Sequence, residues 1–488
     1  MKKTANIERI AAVCACLLML VAFYVSSEAV LALQARTVQM LMQAGILALI
    51  GAAAWLMHAR PKLNRSELLL WMILAIGIVM RVGYMLYTPA TVRSHDLGKL
   101  DFNRAGHATY IMYLLKGRMP PYNIGQFYHP PLFHALAAAV MRCYRVLSGI
   151  VDMEQLFEST KVVSCAASIL TLFYARKLCR QLRLGYGATL IALALAAFLP
   201  NHDLLAGRVN NDALSIMFMT AILYYTLAWY ERQDWGSIVK LALCFGLGMM
   251  TKISVGVFAL VTGAMMLFVL IRSIREKRAR RTILQLIVFG LIALPLGMYF
   301  PIRSYILYQQ PFNYVMRVSE ATGIYCDDHS IWERFGLVFN PNVYNLPFDD
   351  YNVWGYLLRG SLFGEFTLEL GTFLPGILLL VNLLLILMSL VAMAVMLIRH
   401  RSAQRTLLGY FWLVLMASYI QFNIEYPCGC TMDFRYVVPT ALIGAVFLGS
   451  WWEKLPDNRL AGRLFRRAAV GLTGCFAILS LVLYCNLP

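Results

Sequence analysis

The chain has 488 residues, 60% of them hydrophobic and only 14% charged, with a formal net charge of +18 and a mean hydropathy of +0.65. Soluble domains are about half apolar, so these values exclude an ordinary soluble globular protein. The charge does not signal nucleic acid: no nucleic-acid motif is present, and cytoplasmic loops of membrane proteins collect Lys and Arg.

Taken in chain order, apolar runs of about 18 residues or more read as membrane-crossing helices. Lys2, Lys3 and Arg9 precede the apolar run from Ile10 to Val25, which reads as part of a retained span at 8–31, since no small-residue cleavage site follows it. Further spans are expected at 38–57, 68–88, 157–178, 185–200, 211–230, 237–250, 253–272, 282–305, 374–398, 406–424, 436–452 and 467–486, about 13 in all. The run 374–398 is interrupted only by Asn382.

An apolar run at 132–147 is a further candidate, and letting it cross inverts everything downstream. Charge decides. With the N-terminus cytoplasmic and 132–147 not crossing, cytoplasmic segments hold 26 Lys and Arg, from Lys2 to Arg467, against 4 in the short outer loops, Arg36, Arg208, Lys252 and Arg435. That asymmetry is what the positive-inside rule expects. The run 132–147 therefore reads as a helix lying along the outer face, started by Pro130-Pro131.

Four segments follow: extra N-terminal spans at 1–67, a core at 68–305 that contains a long outer loop at 89–156, a second outer loop at 306–373, and C-terminal spans at 374–488. Loops this long are usually functional or disordered. In the first, "NRAGHATYIMYLLK" (103–116) places His107, Tyr110, Ile111, Leu114 and Leu115 on one helical face, as expected of a helix in the interface. It makes a second juxtamembrane helix beside 132–147. The eleven Cys lie mostly in apolar runs, except Cys326 and the pair Cys428 and Cys430. A lone C-x-C is a weak signal for a metal or a disulfide.

Polar residues expected at the outer level are His95, Asp96, Asp101, His129, Arg208, Asn210, Asn211, Asp212, Lys252, Arg303, Asp433 and Arg435, with Arg81 about two turns below. Several cations with a few carboxylates on one side suit a phosphate headgroup: Arg offers a bidentate fork, Lys a point charge. A nearby carboxylate can act as general base.

At these residues the chain resembles a known family. "HD" at 95–96, "GHATYI" at 106–111, "YHPPLFH" at 128–134, "RVNNDALSIMF" at 208–218, "GLGMMTK" at 246–252 and "DFRYVVP" at 433–439 are similar to polyprenyl-phosphate-sugar-dependent glycosyltransferases of the GT-C fold. The nearest groups are the protein O-mannosyltransferases and the lipid A aminoarabinose transferases. The likeness covers roughly 68–305 and 425–440. It implies an all-α, polytopic GT-C protein with two juxtamembrane helices, an extracytoplasmic active site, and an acidic base in the first outer loop. Basic residues would hold the donor phosphate. The commonest form has Asp-Glu in that loop; here it is His95-Asp96, with Asp101 nearer the helix. Asp96 is the favoured base and Asp101 the alternative. Lys252, Arg208, Arg303 and Arg435 are the phosphate candidates, supported by His95, His107, Tyr128, His129, Asn211, Asp212 and Tyr436. No cofactor is firmly implied; a divalent metal is the one candidate, with His129 its prospective ligand.

Each residue has a competing structural role. Asp96 would be an exposed loop carboxylate, Lys252 a snorkelling helix end, and Arg303 an interfacial anchor. Arg208 with Asp212, and Arg435 with Asp433, would be simple ion pairs. The expected activity is transfer of a sugar from a polyprenyl-phosphate donor to a hydroxyl of a protein, glycolipid or wall polymer, with inversion. The rivals are a transporter or flippase of an anionic lipid or solute, and a non-catalytic lipid-binding subunit. Transporters tend to carry internal repeats and broken helices, and the sequence shows neither.

Overall fold

The structure, a computed structural model, describes residues 35–60, 62–94, 96–100, 104–121, 124–318, 324–326, 328–337, 351–366, 371, 373–456 and 458–487. The span expected at 8–31 lies outside the described residues, as do His95 and Asp101.

The described residues are helical almost throughout. In chain order the helices are α1 (Ala35–Ala59), α2 (Arg65–Tyr87), α3 (His107–Leu115), α4 (Leu132–Ser148), α5 (Met153–Glu158), α6 (Lys161–Gln181), α7 (Tyr186–Ala197), α8 (Pro200–Ala206) and α9 (Asp212–Arg232). They continue with α10 (Trp235–Met249), α11 (Ala259–Arg275), α12 (Ala279–Tyr308), α13 (Ile331–Phe335), α14 (Val353–Phe363), α15 (Phe373–Arg399), α16 (Ala403–Glu425), α17 (Val438–Lys454) and α18 (Leu460–Tyr484). Among the described residues, nine helical segments are long and apolar enough to cross a membrane, and the bent pair α7–α8 makes a tenth if counted as one span. This is a multi-pass membrane protein. The segments expected at 237–250 and 436–452 form the 15- and 17-residue helices α10 and α17, short of the roughly 20 residues of a full crossing.

The expectation of unbroken helices needs correction. The span read at 185–200 bends by 51° between α7 and α8. Pro200 causes the break: it has no N–H to extend α7 but suits the first turn of α8.

The chain forms two compact units built from interleaved segments. One contains Thr88–Gln181 and Leu205–Met316, hence α3 to α6 and α9 to α12. Its centre is α9, apolar on all sides and packed between α6 and α10; such a helix belongs inside a bundle. The 17-residue α4 is amphipathic: Phe133, His134, Ala137, Met141 and Tyr144 are buried, whereas Leu136, Val146 and Leu147 are exposed. It ends at Gly149, whose φ of 72° forms a left-handed cap with its N–H on the carbonyl of Arg145. Asp152 caps α5 through the N–H of Gln155. The second unit contains Gln34–Tyr87, Leu182–Leu204 and Arg317–Pro488. There α17 packs on α7 and α15, and α1 on α2.

Candidate active site

The first group of site residues lies in the unit that contains α3, α4, α9 and α10. Asp96 is exposed, at a φ of 60° in the left-handed region, which Asp tolerates better than most residues. Its carbonyl accepts the N–H of His107 at 3.0 Å, and that of Leu97 accepts the N–H of Ala108 at 2.7 Å. The turn thus satisfies two amides that α3 leaves open at its start. Two glycines permit it. Gly98 sits at φ +74°, and a Cβ on Gly106 would lie 2.3 Å from the nitrogen of Gly98. The Thr109 hydroxyl lies 2.7 Å from the carbonyl of Lys99 and 2.5 Å from that of Arg104. Asp96 is therefore carried on a backbone turn pinned to the juxtamembrane helix.

Behind that turn, α3 and α4 meet through histidines. His107 Nδ1 is 2.9 Å from His134 Nε2. The rings of His107 and His129 stack at 5.9 Å, and that of His134 stacks on Tyr110 at 4.1 Å. The Tyr110 hydroxyl donates to the carbonyl of His129 at 3.2 Å. Burial, reinforced by His107 and His129, holds the His134 pKa well below the usual histidine range, so the 2.9 Å contact joins an N–H to a lone pair. Burial also raises the Tyr110 phenol, opposed by the nearby Arg303. Arg303 itself lies 5.9 Å from the Phe300 ring and 5.7 Å from that of Tyr308. Among the described residues, no group of three or more His, Cys, Asp or Glu is placed to hold a metal ion.

A backbone bond continues the network: the Leu132 N–H at the start of α4 donates to the carbonyl of Met250, 3.0 Å away. Two residues later Lys252 forms an ion pair with Asp212, their side chains 12% and 5% exposed. The neighbouring amides hold this pair. Asn210 donates to Asp212 at 3.0 Å, and Asn211 donates to the carbonyl of Thr251 at 3.0 Å. Arg208 is buried in the same turn. Hydrogen bonds, joined by the short chain stretches 132–134 and 250–252, thus tie the turn of Asp96 through α3 and α4 to the segment that carries Lys252 and its partner Asp212.

Arg435 and Tyr436 belong to the other unit. Arg435 pairs with the buried Glu365 at 2.9 Å, and its guanidinium lies 5.2 Å from the Tyr436 ring. Its backbone N–H donates to Asp433 at 2.8 Å. Arg359 is wholly buried nearby, donating to the carbonyl of Phe366 at 3.0 Å. Tyr356 senses the whole group: burial raises its pKa, Asp433 and Glu365 add to the rise, and Arg359 and Arg435 oppose it. The same unit holds an apolar cavity of about 730 Å³ among α14, α15, α16 and α17, lined by Leu358, Leu385, Met416, Phe434 and Leu442, with Asn382, Ser361, Ser389 and Thr440 among its polar residues. Asn382 donates to the Ser361 hydroxyl at 2.8 Å. Cys326 and Cys428 are buried, and Cys430 is partly so. A hydrogen bond with Cys428, then burial, raises the Cys430 pKa.

Sequence reasoning missed Glu365 and assigned no role to His134. Glu365 is the only carboxylate in the stretch 353–366, a signal that was available.

These features define an all-helical, multi-pass membrane protein of GT-C architecture. Residues 129–299 match the family model described as dolichyl-phosphate-mannose-protein mannosyltransferase. The chain is similar in fold to ArnT from Cupriavidus metallidurans, a structure bound to undecaprenyl phosphate: 13% identity, 85% of this chain and 75% of that chain covered, TM-score 0.53. No curated protein matches the chain. The GT-C resemblance read from the sequence is borne out by both matches.

Proposed function

We propose that the protein is an integral-membrane glycosyltransferase that moves a sugar from a polyprenyl-phosphate donor to an acceptor hydroxyl on the extracytoplasmic face. The observation that carries this reading is that the turn of Asp96 and the Lys252–Asp212 pair lie in one unit, on segments tied together by the contacts of α3 and α4. Asp96 takes the proton of the acceptor hydroxyl. The acceptor oxygen attacks the anomeric carbon, and the bond from that carbon to the phosphate oxygen breaks with inversion. The phosphate leaves with the electron pair and gains negative charge. Cations that meet this growing charge stabilise the transition state more than the ground state, which is the condition for acceleration. Lys252, Arg208 and Arg303 are the candidates for that role in the unit of α9, and Arg435 is the candidate in the other unit. His107, Tyr128, His129, Asn211, Asp212 and Tyr436 support them. A divalent metal is the one cofactor candidate, with His129 its prospective ligand.

The core at 68–305 carries the chemistry in this reading, and the segments 1–67, 306–373 and 374–488 serve it. The excess of Lys and Arg in the opposite loops supports the outward placement, with the N-terminus in the cytoplasm. Mass analysis of lipid that copurifies with the protein tests the donor class. Polyprenyl phosphate or its sugar ester is expected; a preparation holding only bulk phospholipid, and failing to take up added polyprenyl phosphate, would count against it.

One observation favours a transporter, the bent span α7–α8. Its break is filled, however. Arg81, wholly buried, donates to the carbonyl of Ala197 at 2.9 Å, pairs with Asp203 at 3.0 Å and contacts His202 at 3.1 Å. That arrangement caps the end of α7 with a paired, buried guanidinium. Consumption of donor in detergent, where no gradient exists, separates the two readings.

A further inference from the structure

The entry to the loop that carries Asp96 is held by a buried ion pair of the same unit. Glu158 ends α5 and Lys161 begins α6, and their side chains pair while only 17% and 4% exposed. Both also reach the backbone of the loop. The Lys161 ammonium donates to the carbonyl of Thr88 at 2.8 Å, and a Glu158 oxygen accepts the N–H of Ala90 at 2.9 Å. The pair stands on a fixed base: the hydroxyls of Ser159 and Thr160, both wholly buried, donate to the carbonyls of Leu156 and Phe157 at 2.6 Å. Beyond Ala90 the chain turns, with the Val92 N–H on the carbonyl of Pro89 at 3.0 Å. It then passes through Arg93 at a φ of 50° and Asp96 at 60°.

We infer that Glu158 and Lys161 are positioning residues for Asp96, holding the near end of its loop as α3 holds the far end. The inference rests on the reading of Asp96 as the general base. Residues other than glycine seldom adopt the left-handed region, and they persist there where the surroundings over-determine them. Arg93 and Asp96 both do so, and they lie between two pins. One pin is the ion pair on Thr88 and Ala90; the other is formed by the carbonyls of Asp96 and Leu97 with the first amides of α3. A Glu and a Lys three residues apart can pair on a helix surface with no further partner. Here both are drawn inside, and each makes a charge-assisted hydrogen bond to the loop. Thr88 and Ala90 are themselves buried, so their backbone groups need such partners. The Asp96 side chain is exposed; its direction is therefore set by the backbone that carries it, and that backbone is fixed on both sides.

The test is steady-state sugar transfer by the full chain, with kcat and the donor KM measured separately. Glu158→Leu/Lys161→Met removes both charges together, so neither is left buried alone. It is expected to lower kcat about tenfold, because a small misplacement of a reacting group is costly, and to leave the donor KM within about twofold. In an Asp96→Asn background the same double substitution should change the residual rate little, since residues that act as one unit are not additive. Glu158→Gln keeps an acceptor for the Ala90 N–H and loses the charge. It covers the case of a misfolded double variant, with a fall in kcat of about threefold on the same grounds. In the natural chain the Ala90 amide should resist hydrogen exchange. An unchanged kcat in the double variant overturns the inference, as do equal losses in the two backgrounds or rapid exchange at Ala90. Full activity of Asp96→Asn is a separate failure, which removes the base and with it the role assigned to the pair.

Discussion

At the residue scale, Asp96 and the Lys252–Asp212 pair bear different loads. Asp96 is exposed and holds the start of α3 through its backbone carbonyl, so changing its side chain leaves the turn intact. Asp96→Asn is expected to slow sugar transfer by about 10²- to 10⁴-fold, the usual contribution of a general base, with unaltered donor binding in a filter assay. Full activity in that variant would remove Asp96 from the mechanism and pass the role to Asp101. Asp212 behaves otherwise. Asp212→Asn leaves Lys252 buried without its carboxylate, and removing one partner of a buried pair costs about 3–5 kcal/mol. The expected result is a clear fall in the thermal midpoint of the purified protein; an unmoved midpoint would show that the pair is incidental. The cations were legible in the sequence because charge is scarce in an apolar chain. Their partners were not. Glu365 reaches Arg435 across 70 residues and His134 reaches His107 across 27, and no local pattern encodes such meetings.

At the scale of the element, the two juxtamembrane helices and the bent span differ in how openly they were written. Both helices were legible: Pro130-Pro131 opens α4, and helical spacing of apolar residues marks α3. The expected helix at 103–116 is realised over 107–115, because the turn of Gly98 and Gly106 consumes the residues before it. That turn is testable. Gly106→Ala forces a Cβ to 2.3 Å from backbone nitrogen, so the backbone must move and carry Asp96 with it. Transfer should fall at least tenfold while the helical circular dichroism stays the same; equal activity would mean that the placement of Asp96 is not fixed by this turn. The break between α7 and α8 escaped the sequence reading although Pro200 advertised it, since the apolar run continues across it. Arg81 binds both sides of that break through Ala197 and Asp203. Arg81→Met strands a buried carboxylate and a helix end, and an aggregated elution profile is expected. A monodisperse, active Arg81→Met variant would refute this account of the bend.

At the scale of the whole molecule, class came from bulk properties, and the proposed orientation rests on the distribution of charge. Composition sufficed for a multi-pass protein because no soluble fold tolerates runs this apolar. The GT-C resemblance needed several motifs in order, none specific alone. The interleaving of segments into two compact units left no trace in the sequence, because each unit is closed by contacts among distant helices. The placement of Asp96 and Lys252 on one side of the membrane rests on the count of basic residues. Single cysteines at positions 96 and 252 should both react with an impermeant maleimide added outside intact cells, and a cysteine at 277 should not.

The central claim is chemical, and turnover of a defined donor tests it most directly. Purified protein in lipid nanodiscs would be given a polyprenyl-phosphate sugar with a mixture of hydroxyl acceptors, and free polyprenyl phosphate would be measured. The account predicts release of polyprenyl phosphate matched by sugar on an acceptor, with opposite anomeric configuration. Tight binding of the donor with no release in any acceptor mixture would contradict it.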